Sequence, residues 1–281
     1  MSKFILISDT HLGANPMFYQ QQKGYPEHLD LIVKALKEFI TEQGDIDFVL
    51  HAGDMIDFTS DQNIDKASRV FDFSIPLYLC LGNHDLTTPD SREKWLNLAP
   101  QFFLSGNSDF TIIRDDCAVH IAPNQWCETP YFWDDSQEPF FLNEQKKSLK
   151  TQFLNTSGRH NIFVTHCPVY GLPKEQTGKD VEIHAPAQKF TQECLTILKN
   201  CGDLKCVISG HTHLNMRREK NSIHYVTASS LSEVPFEFKC FEIDHDKLTM
   251  QTYSLENYID MKFEYNPDRA FVQGRRLDRT F

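Results

Sequence analysis

The sequence predicts a two-sheet α/β sandwich with helices on its outer faces, and three observations carry that prediction. Short apolar runs alternate with amphipathic stretches from Lys3 to Ser209. From Ser222 onward the pattern turns all-β. The chain has 281 residues, 40% of them hydrophobic and 24% charged, which is long enough and ordinary enough in composition to bury a sizeable core. Early β-α alternation followed by late antiparallel strands is the pattern of two packed sheets flanked by helices.

Each element has its own signal. Lys3–Ser8 is a short apolar run ending in polar residues, as a buried parallel strand reads. Glu27–Gln43 puts Leu29, Ile32, Val33, Leu36 and Ile40 on one helical face, and Gly44 ends it. Asp47–Leu50 and Leu77–Leu81 read as further buried strands, stopped at Gly53 and Gly82. Asp109–Arg114 and Ala118–Ala122 form a hairpin pattern across Asp115-Asp116. Asn143–Thr156 is amphipathic, and Asn161–Thr165 and Lys205–Ser209 are strands around a helix near Ala187–Leu198. Ser222–Thr227, Glu237–Ile243 and Lys247–Ser254 complete the β set, the last two joined through Asp244–Asp246. No repeat or low-complexity linker divides the chain, so residues 1–254 are expected to form one domain. Residues 255–281 are polar, with Arg269, Arg275, Arg276 and Arg279, and read as a tail that packs on the domain or on a partner subunit.

Charge narrows the function classes. The formal net charge of −11 repels polyanions on average, which argues against a dedicated nucleic-acid binder. The apolar run Phe4-Ile5-Leu6-Ile7 stops at Ser8-Asp9, too short for a signal-peptide core, and no stretch approaches the roughly 18 apolar residues of a membrane helix. The eight cysteines are scattered without a Cys-x-x-Cys pair and read as reduced thiols. A cytoplasmic location is expected, with no membrane partner; a homo-oligomer is left open.

The chemistry-bearing residues gather where the expected strands end. These are Asp9-x-His11, Gly53-Asp54, Gly82-Asn83-His84-Asp85, Thr165-His166 and Gly210-His211-x-His213. Singly, each reads as a turn, a cap or a solvated pair. Jointly they deliver five polar segments to one rim, and ligands of open α/β sheets bind in the crevice outside the carboxyl ends of strands.

That ordered set resembles the signature of the calcineurin-like metallophosphoesterase superfamily, with no motif position missing between residues 9 and 213. The resemblance implies a two-sheet sandwich with a dinuclear metal site on its rim. It implies that Asp9, His11 and His213 hold one divalent ion and Asn83, His166 and His211 a second, with Asp54 bridging. His84 is implied to contact the phosphate as acid or charge stabiliser, oriented by Asp85. Two ions about 3.5–4 Å apart clamp a phosphoryl group and share a water whose pKa falls toward neutrality, so the implied nucleophile is a metal-bridging hydroxide. A donor set of nitrogen and oxygen without sulfur favours Mn, Fe, Zn, Co or Ni.

Departures narrow the branch. Met55-Ile56-Asp57-Phe58 follows Asp54, without the tyrosine of purple acid phosphatases, and Asp at position 85 is similar to the phosphodiesterase and nuclease branches. Few basic residues flank the motifs, the nearest being Arg92, Lys174, Lys179 and Arg217-Arg218, and a monoanionic diester needs fewer cations than a dianionic monoester. The expected function is hydrolysis of a phosphodiester of a small nucleotide-like substrate, resembling the cyclic-nucleotide-phosphodiesterase branch. A phosphomonoesterase, a nuclease and a non-catalytic binding scaffold on the same fold are the alternatives. Three loops are expected over the site: 13–26 with Met17, Phe18, Tyr19 and Tyr25; 123–143 with Trp126, Tyr131, Phe132, Trp133, Phe140 and Phe141; and 167–186 with Tyr170 and His184. The rings of the second loop would either stack a nucleobase or pack a satellite core.

Overall fold

The computed structural model describes residues 1–15 and 20–281, so Met17, Phe18 and Tyr19 lie outside the described residues. Two mixed sheets make up the fold. The first has the order β11-β10-β1-β2-β3, built from β1 (Ser2–Ile7), β2 (Phe48–His51), β3 (Leu77–Leu79), β10 (Glu237–Ile243) and β11 (Leu248–Ser254). The second has the order β4-β5-β6-β7-β9-β8, from β4 (Phe110–Ile113), β5 (Cys117–Ile121), β6 (His160–Val164), β7 (Leu204–Ser209), β8 (Met216–Lys220) and β9 (Ile223–Thr227). β1, β2 and β3 run parallel, as do β5, β6, β7 and β9. Phe4, Ile5, Leu6 and Ile7 are all fully buried, as expected of a strand covered on both faces.

Helices supply that cover. α1 (Leu29–Gln43) buries Leu29, Ile32, Val33, Leu36, Phe39 and Ile40 and ends at Gly44, whose φ of 72° is the left-handed conformation of a helix stop. α2 (Asp61–Val70) starts at Ser60, whose hydroxyl accepts a hydrogen bond from the Asn63 amide at 3.1 Å. α3 (Ser91–Leu98), α4 (Asn143–Asn155), the one-turn α5 (Lys174–Thr177), α6 (Gln188–Leu198) and the one-turn α7 (Arg276–Arg279) follow. No helix among the described residues is long and apolar enough to cross a membrane.

The structure corrects the late-strand expectation in one respect. β9 pairs in parallel with β7 and antiparallel with β8, so only β10 and β11 form the late antiparallel pair joined to β1. Residues after Ser254 lie along both sheets. Thr280 forms a bridge with Gln251, Arg279 pairs with Glu237 at 2.5 Å, and Val272 packs with Leu172, Leu214 and Met216.

Candidate metal centre

Five parallel strands end at one rim, and each carries a motif just past its last residue. β1 leads to Asp9 and His11, β2 to Asp54, β3 to Asn83 and His84, β6 to His166, and β7 to His211 and His213. The loops are laced by backbone bonds: Asp9 N donates to Gly53 O at 2.9 Å, His11 N to Asp54 O at 3.0 Å, and Leu12 N to Met55 O at 3.0 Å. Asp9, His11, Asp54, His211 and His213 all have positive φ, between 46° and 71°. Non-glycine residues are uncommon there, and their concentration marks a rim held in strain by its surroundings.

The side chains converge in two groups. Nε2 of His11 and Nε2 of His213 are 3.1 Å apart, and His213 Nε2 lies 3.5 Å from Asp9 Oδ1. On the other side, His166 Nε2 lies 3.1 Å from Asp54 Oδ2, and His211 Nδ1 lies 3.1 Å from Asn83 Oδ1. Asp54 stands between the groups, its Oδ2 also 3.8 Å from His11 Nε2. All seven ligand candidates are therefore brought to one place.

Their environment selects protonation states. Burial pushes His11 down to about 4 and His211 down to about 3, so both imidazoles are neutral and keep a lone pair at pH 7, whereas Asp54 beside His166 and Glu233 beside His213 outweigh burial and push those two up to about 9. Burial opposes the Asp54 carboxylate, yet His166 and His84 outweigh it and hold it well below its usual range. His166 donates its Nδ1 proton to Ala52 O at 2.8 Å, which turns Nε2 inward. That nitrogen is buried without an aligned hydrogen-bond partner, and two imidazole nitrogens face each other beside buried carboxylates. Imidazole nitrogens and buried carboxylates converging this closely fit a cation, which would take the place of the ring protons on His166 and His213. Being nitrogen and oxygen only, the donor set suits borderline and hard divalent metals. His51, also buried, accepts from Gly53 N at 3.2 Å and lies 3.0 Å from Thr10 Oγ1, bonds within the loops rather than to the converging donors.

His84 sits beside this cluster but is held differently from expectation. The resemblance implies that Asp85 orients it. Instead, Asp85 Oδ1 accepts from the amides of Met55 (3.0 Å) and Ile56 (3.1 Å), and Oδ2 accepts from Gly82 N at 2.9 Å. A residue on a short 3-10 turn points away from its predecessor, so Asp85 braces two motif loops. The His84 ring is anchored by Asp57, whose carbonyl accepts its Nδ1 proton at 2.8 Å and whose Oδ1 is 3.6 Å away. Asp57 Oδ1 also approaches His11 Nδ1 at 3.4 Å. Rings of His11 and Trp133 flank His84, each with its centroid 4.7 Å distant.

Above the cluster opens a cavity of about 520 Å³. His11, Asp54, Asn83, His84, His211 and His213 form its floor, and Trp133, His184, Pro186, Gln137 and Gln21 its walls. The aromatic loop splits between its two expected roles. Trp126 and Phe141 are buried in the core, whereas Trp133 faces the cavity with its indole N–H fixed on Ser136 O at 2.9 Å. Among the described residues no Lys or Arg lines the cavity. Arg92 lies over the Tyr131 ring, Arg217 pairs with Glu219 and Arg218 with Glu182, while Lys174 and Lys179 are absent from the walls. One residue went unnoticed in the sequence: Glu233, buried in the crossing from β9 to β10, contacts His213 Nδ1 through Oε1.

The family model described as calcineurin-like phosphoesterase matches residues 2–215. A 3′,5′-cyclic-nucleotide phosphodiesterase of Nostoc sp. is 22% identical over 232 residues, covering 80% of this chain and 76% of that protein. Among solved structures, a dimetal phosphatase from Danio rerio superposes with a TM-score of 0.65 at 16% identity, covering 90% of this chain and 96% of that one. GAP50, the anchor in the inner membrane complex of Plasmodium, gives 0.64 at 14% identity over 94% and 88%. These two structures share the fold.

Proposed function

The chain belongs to the calcineurin-like phosphoesterase family, and on that premise we propose that it hydrolyses a phosphodiester in a small, nucleotide-like substrate. The observation that carries this reading is the cavity wall without cationic side chains among its described residues. A dianionic monoester calls for charge-matching donors beyond its metals, whereas a monoanionic diester needs fewer. Trp133 adds a fixed aromatic face beside the phosphate end, suited to a planar substituent. The Nostoc relative, by name a cyclic-nucleotide phosphodiesterase, lends support at the same level.

In this proposal Asp9, His11 and His213 would hold one divalent ion and Asn83, His166 and His211 the other, with Asp54 between the two sets as the shared carboxylate. The ions, drawn from Mn, Fe, Zn, Co or Ni, supply Lewis-acid stabilisation of the phosphoryl oxygens and a low-pKa water. The residues do the rest. The amide of His84 donates to Asp54 Oδ1 at 2.8 Å and so fixes the bridging carboxylate. Since the Asp57 carbonyl takes the Nδ1 proton of His84, a proton delivered to the leaving oxygen has to come from Nε2. Asp85 ties the Gly82 and Met55 loops together and acts by positioning them. Residues 255–281 are proposed to pack on this catalytic domain as a tail.

The test compares bis-p-nitrophenyl phosphate with p-nitrophenyl phosphate after chelator stripping and readdition of Mn²⁺. A higher kcat/KM for the diester is the expected result; preference for the monoester overturns the choice of substrate class.

A further inference from the structure

Residues 20–25 are held between two parts of the chain that are far apart in sequence. On one side is the crossing from β9 to β10. Tyr25 N donates to Ser232 O at 2.8 Å, Val234 N donates to Lys23 O at 3.0 Å, and Gly24 bridges to Glu233. On the other side is the tail. Glu264 N donates to the Tyr25 hydroxyl at 2.8 Å, and Gln22 and Asn266 exchange hydrogen bonds at 2.8 and 3.0 Å. Arg269 Nη1 donates to the carbonyls of Gln20 at 3.0 Å and Gln21 at 3.1 Å.

Glu233 is where this assembly meets the metal centre. Its carboxylate is only 2% exposed. Oε2 accepts from the amides of Gln21 at 2.9 Å and Gln22 at 2.6 Å, and Oε1 takes the His213 Nδ1 proton. With Nδ1–H so engaged, Nε2 is the atom His213 would offer an ion, and it faces His11 and Asp9. Gln21 is also a wall of the cavity. The tail, the Gln20–Gln22 segment and Glu233 thus form one hydrogen-bonded path ending on a candidate ligand.

We propose that Glu233 is a positioning residue for His213, and that residues 264–269 act as a strap that holds Gln20–Gln22 against it, so that the tail tunes affinity at the Asp9–His11–His213 ion. This rests on the two-ion reading above. A carboxylate is required because both oxygens accept hydrogen bonds. Glutamine would set an NH₂ group against either the His213 N–H or two backbone amides, donor facing donor. Partners of ligating histidines contribute about 10–100-fold to metal affinity.

The experiment is calorimetric titration of the metal-free full-length chain with Mn²⁺, reading sites per chain and the Kd of each. Wild type is expected to take two ions. Glu233→Gln should weaken one site by about 10–100-fold and leave the other within about twofold. Arg269→Ala should weaken the same site by a smaller factor, and Arg269→Lys should recover part of the loss. Should Glu233→Gln fail to fold, the Arg269 pair carries the test. Two wild-type affinities in Glu233→Gln, or equal weakening of both sites with a lowered Tm of the metal-free chain, overturns the positioning role. Wild-type affinities in Arg269→Ala overturn the strap. A wild-type chain that binds fewer than two ions refutes the two-ion reading itself, and is thereby told apart from these failures.

Discussion

Replacing Gly82 by alanine should empty the metal centre, for a reason that is entirely steric. The φ of Gly82 lies outside the left-handed region, so alanine can adopt its backbone without strain. What it cannot find is space. A Cβ built there falls 2.9 Å from Asp54 Cγ, closer still to Asp54 Oδ1 and its amide nitrogen, whereas ordinary contact begins at 3.4 Å. The backbone amide cannot retreat, because Asp54 belongs to a loop laced to β1 through the Asp54 O to His11 N bond. The carboxylate therefore has to swing away, and the contact with the amide nitrogen is relieved only if the Gly82 loop itself shifts from the Asp54 loop. The swing costs the 2.8 Å hydrogen bond from His84 N and displaces Oδ2 from its place between His166 and His11.

Overpacking of this kind costs about 1–3 kcal/mol. At roughly 2–4 °C per kcal/mol for chains approaching this size, the metal-free Tm should fall by several degrees. The larger effect is on ions: with its bridge moved, the protein should bind far fewer than two per chain by elemental analysis and lose diester hydrolysis. Gly202→Ala is the control, since nothing lies within 4 Å of a Cβ there and its φ is also outside the left-handed region. If Gly82→Ala keeps two ions and wild-type turnover, the assignment of Asp54 as a bridge held by close packing is wrong.

Other consequences are open to the same assays. His84→Ala should lower turnover by about 10²–10⁴-fold while both ions stay bound; loss of metal would instead make His84 a ligand. Trp133→Ala should raise KM for bis-p-nitrophenyl phosphate by about tenfold or more, from a stacking contribution of about 1–3 kcal/mol, with Trp133→Phe close to wild type; an unchanged KM removes the ring from substrate binding. Lys239 is fully buried, and desolvation, countered by Glu237 and Asp278 and reinforced by Arg279, pushes its amine down to about 7 from an ordinary 10.5. At this amine the unfolded chain then binds more protons between those two values, so the Lys239 contribution to stability rises with pH from about 7 towards 10, opposite in sign to that of His166 and His213, which Asp54 and Glu233 push up to about 9. That contribution is read as the difference in stability between wild type and Lys239→Met in denaturant titrations across the range; a difference that does not change with pH contradicts the buried neutral amine.

How much of this was legible beforehand depended on the kind of signal. Buried parallel strands write themselves as apolar runs, and the polar residue at the end of each run is the one that reaches the rim. Ile7 before Ser8-Asp9 and Ser209 before Gly210-His211 could thus be placed without coordinates. β8 could not, because Met216–Lys220 is an edge strand carrying four charged residues in five, a composition that protects an edge and hides a strand. α2 and α3 were hidden likewise: Asp61–Val70 buries only Asn63, Ile64 and Ala67, and Ser91–Leu98 only Ser91 and Trp95. Within the site, adjacency misled. Asp85 follows His84 in sequence but serves three backbone amides, while Asp57, with no motif partner of its own, holds the ring.

The rim also explains why glycines and ligands alternate in these motifs. Asp9, His11, Asp54, His211 and His213 occupy positive φ although glycine would do so at less cost, because each must carry a side chain inward. The glycines stand instead where another ligand passes too closely for any Cβ. A Cβ at Gly210 would lie 2.6 Å from Asp9 Oδ2, and one at Gly53 would collide with the His166 ring. At about 1–3 kcal/mol per strained residue, five such positions use up free energy comparable to the net stability of a domain. The backbone lacing between the β1 and β2 loops, the bond from the Ser230 hydroxyl to Asp9 O at 2.5 Å and the three amides on Asp85 are what hold them. The spacing of a motif records which side chains reach the centre, and the sandwich beneath supplies the rigidity that keeps them in conformations they would not adopt alone.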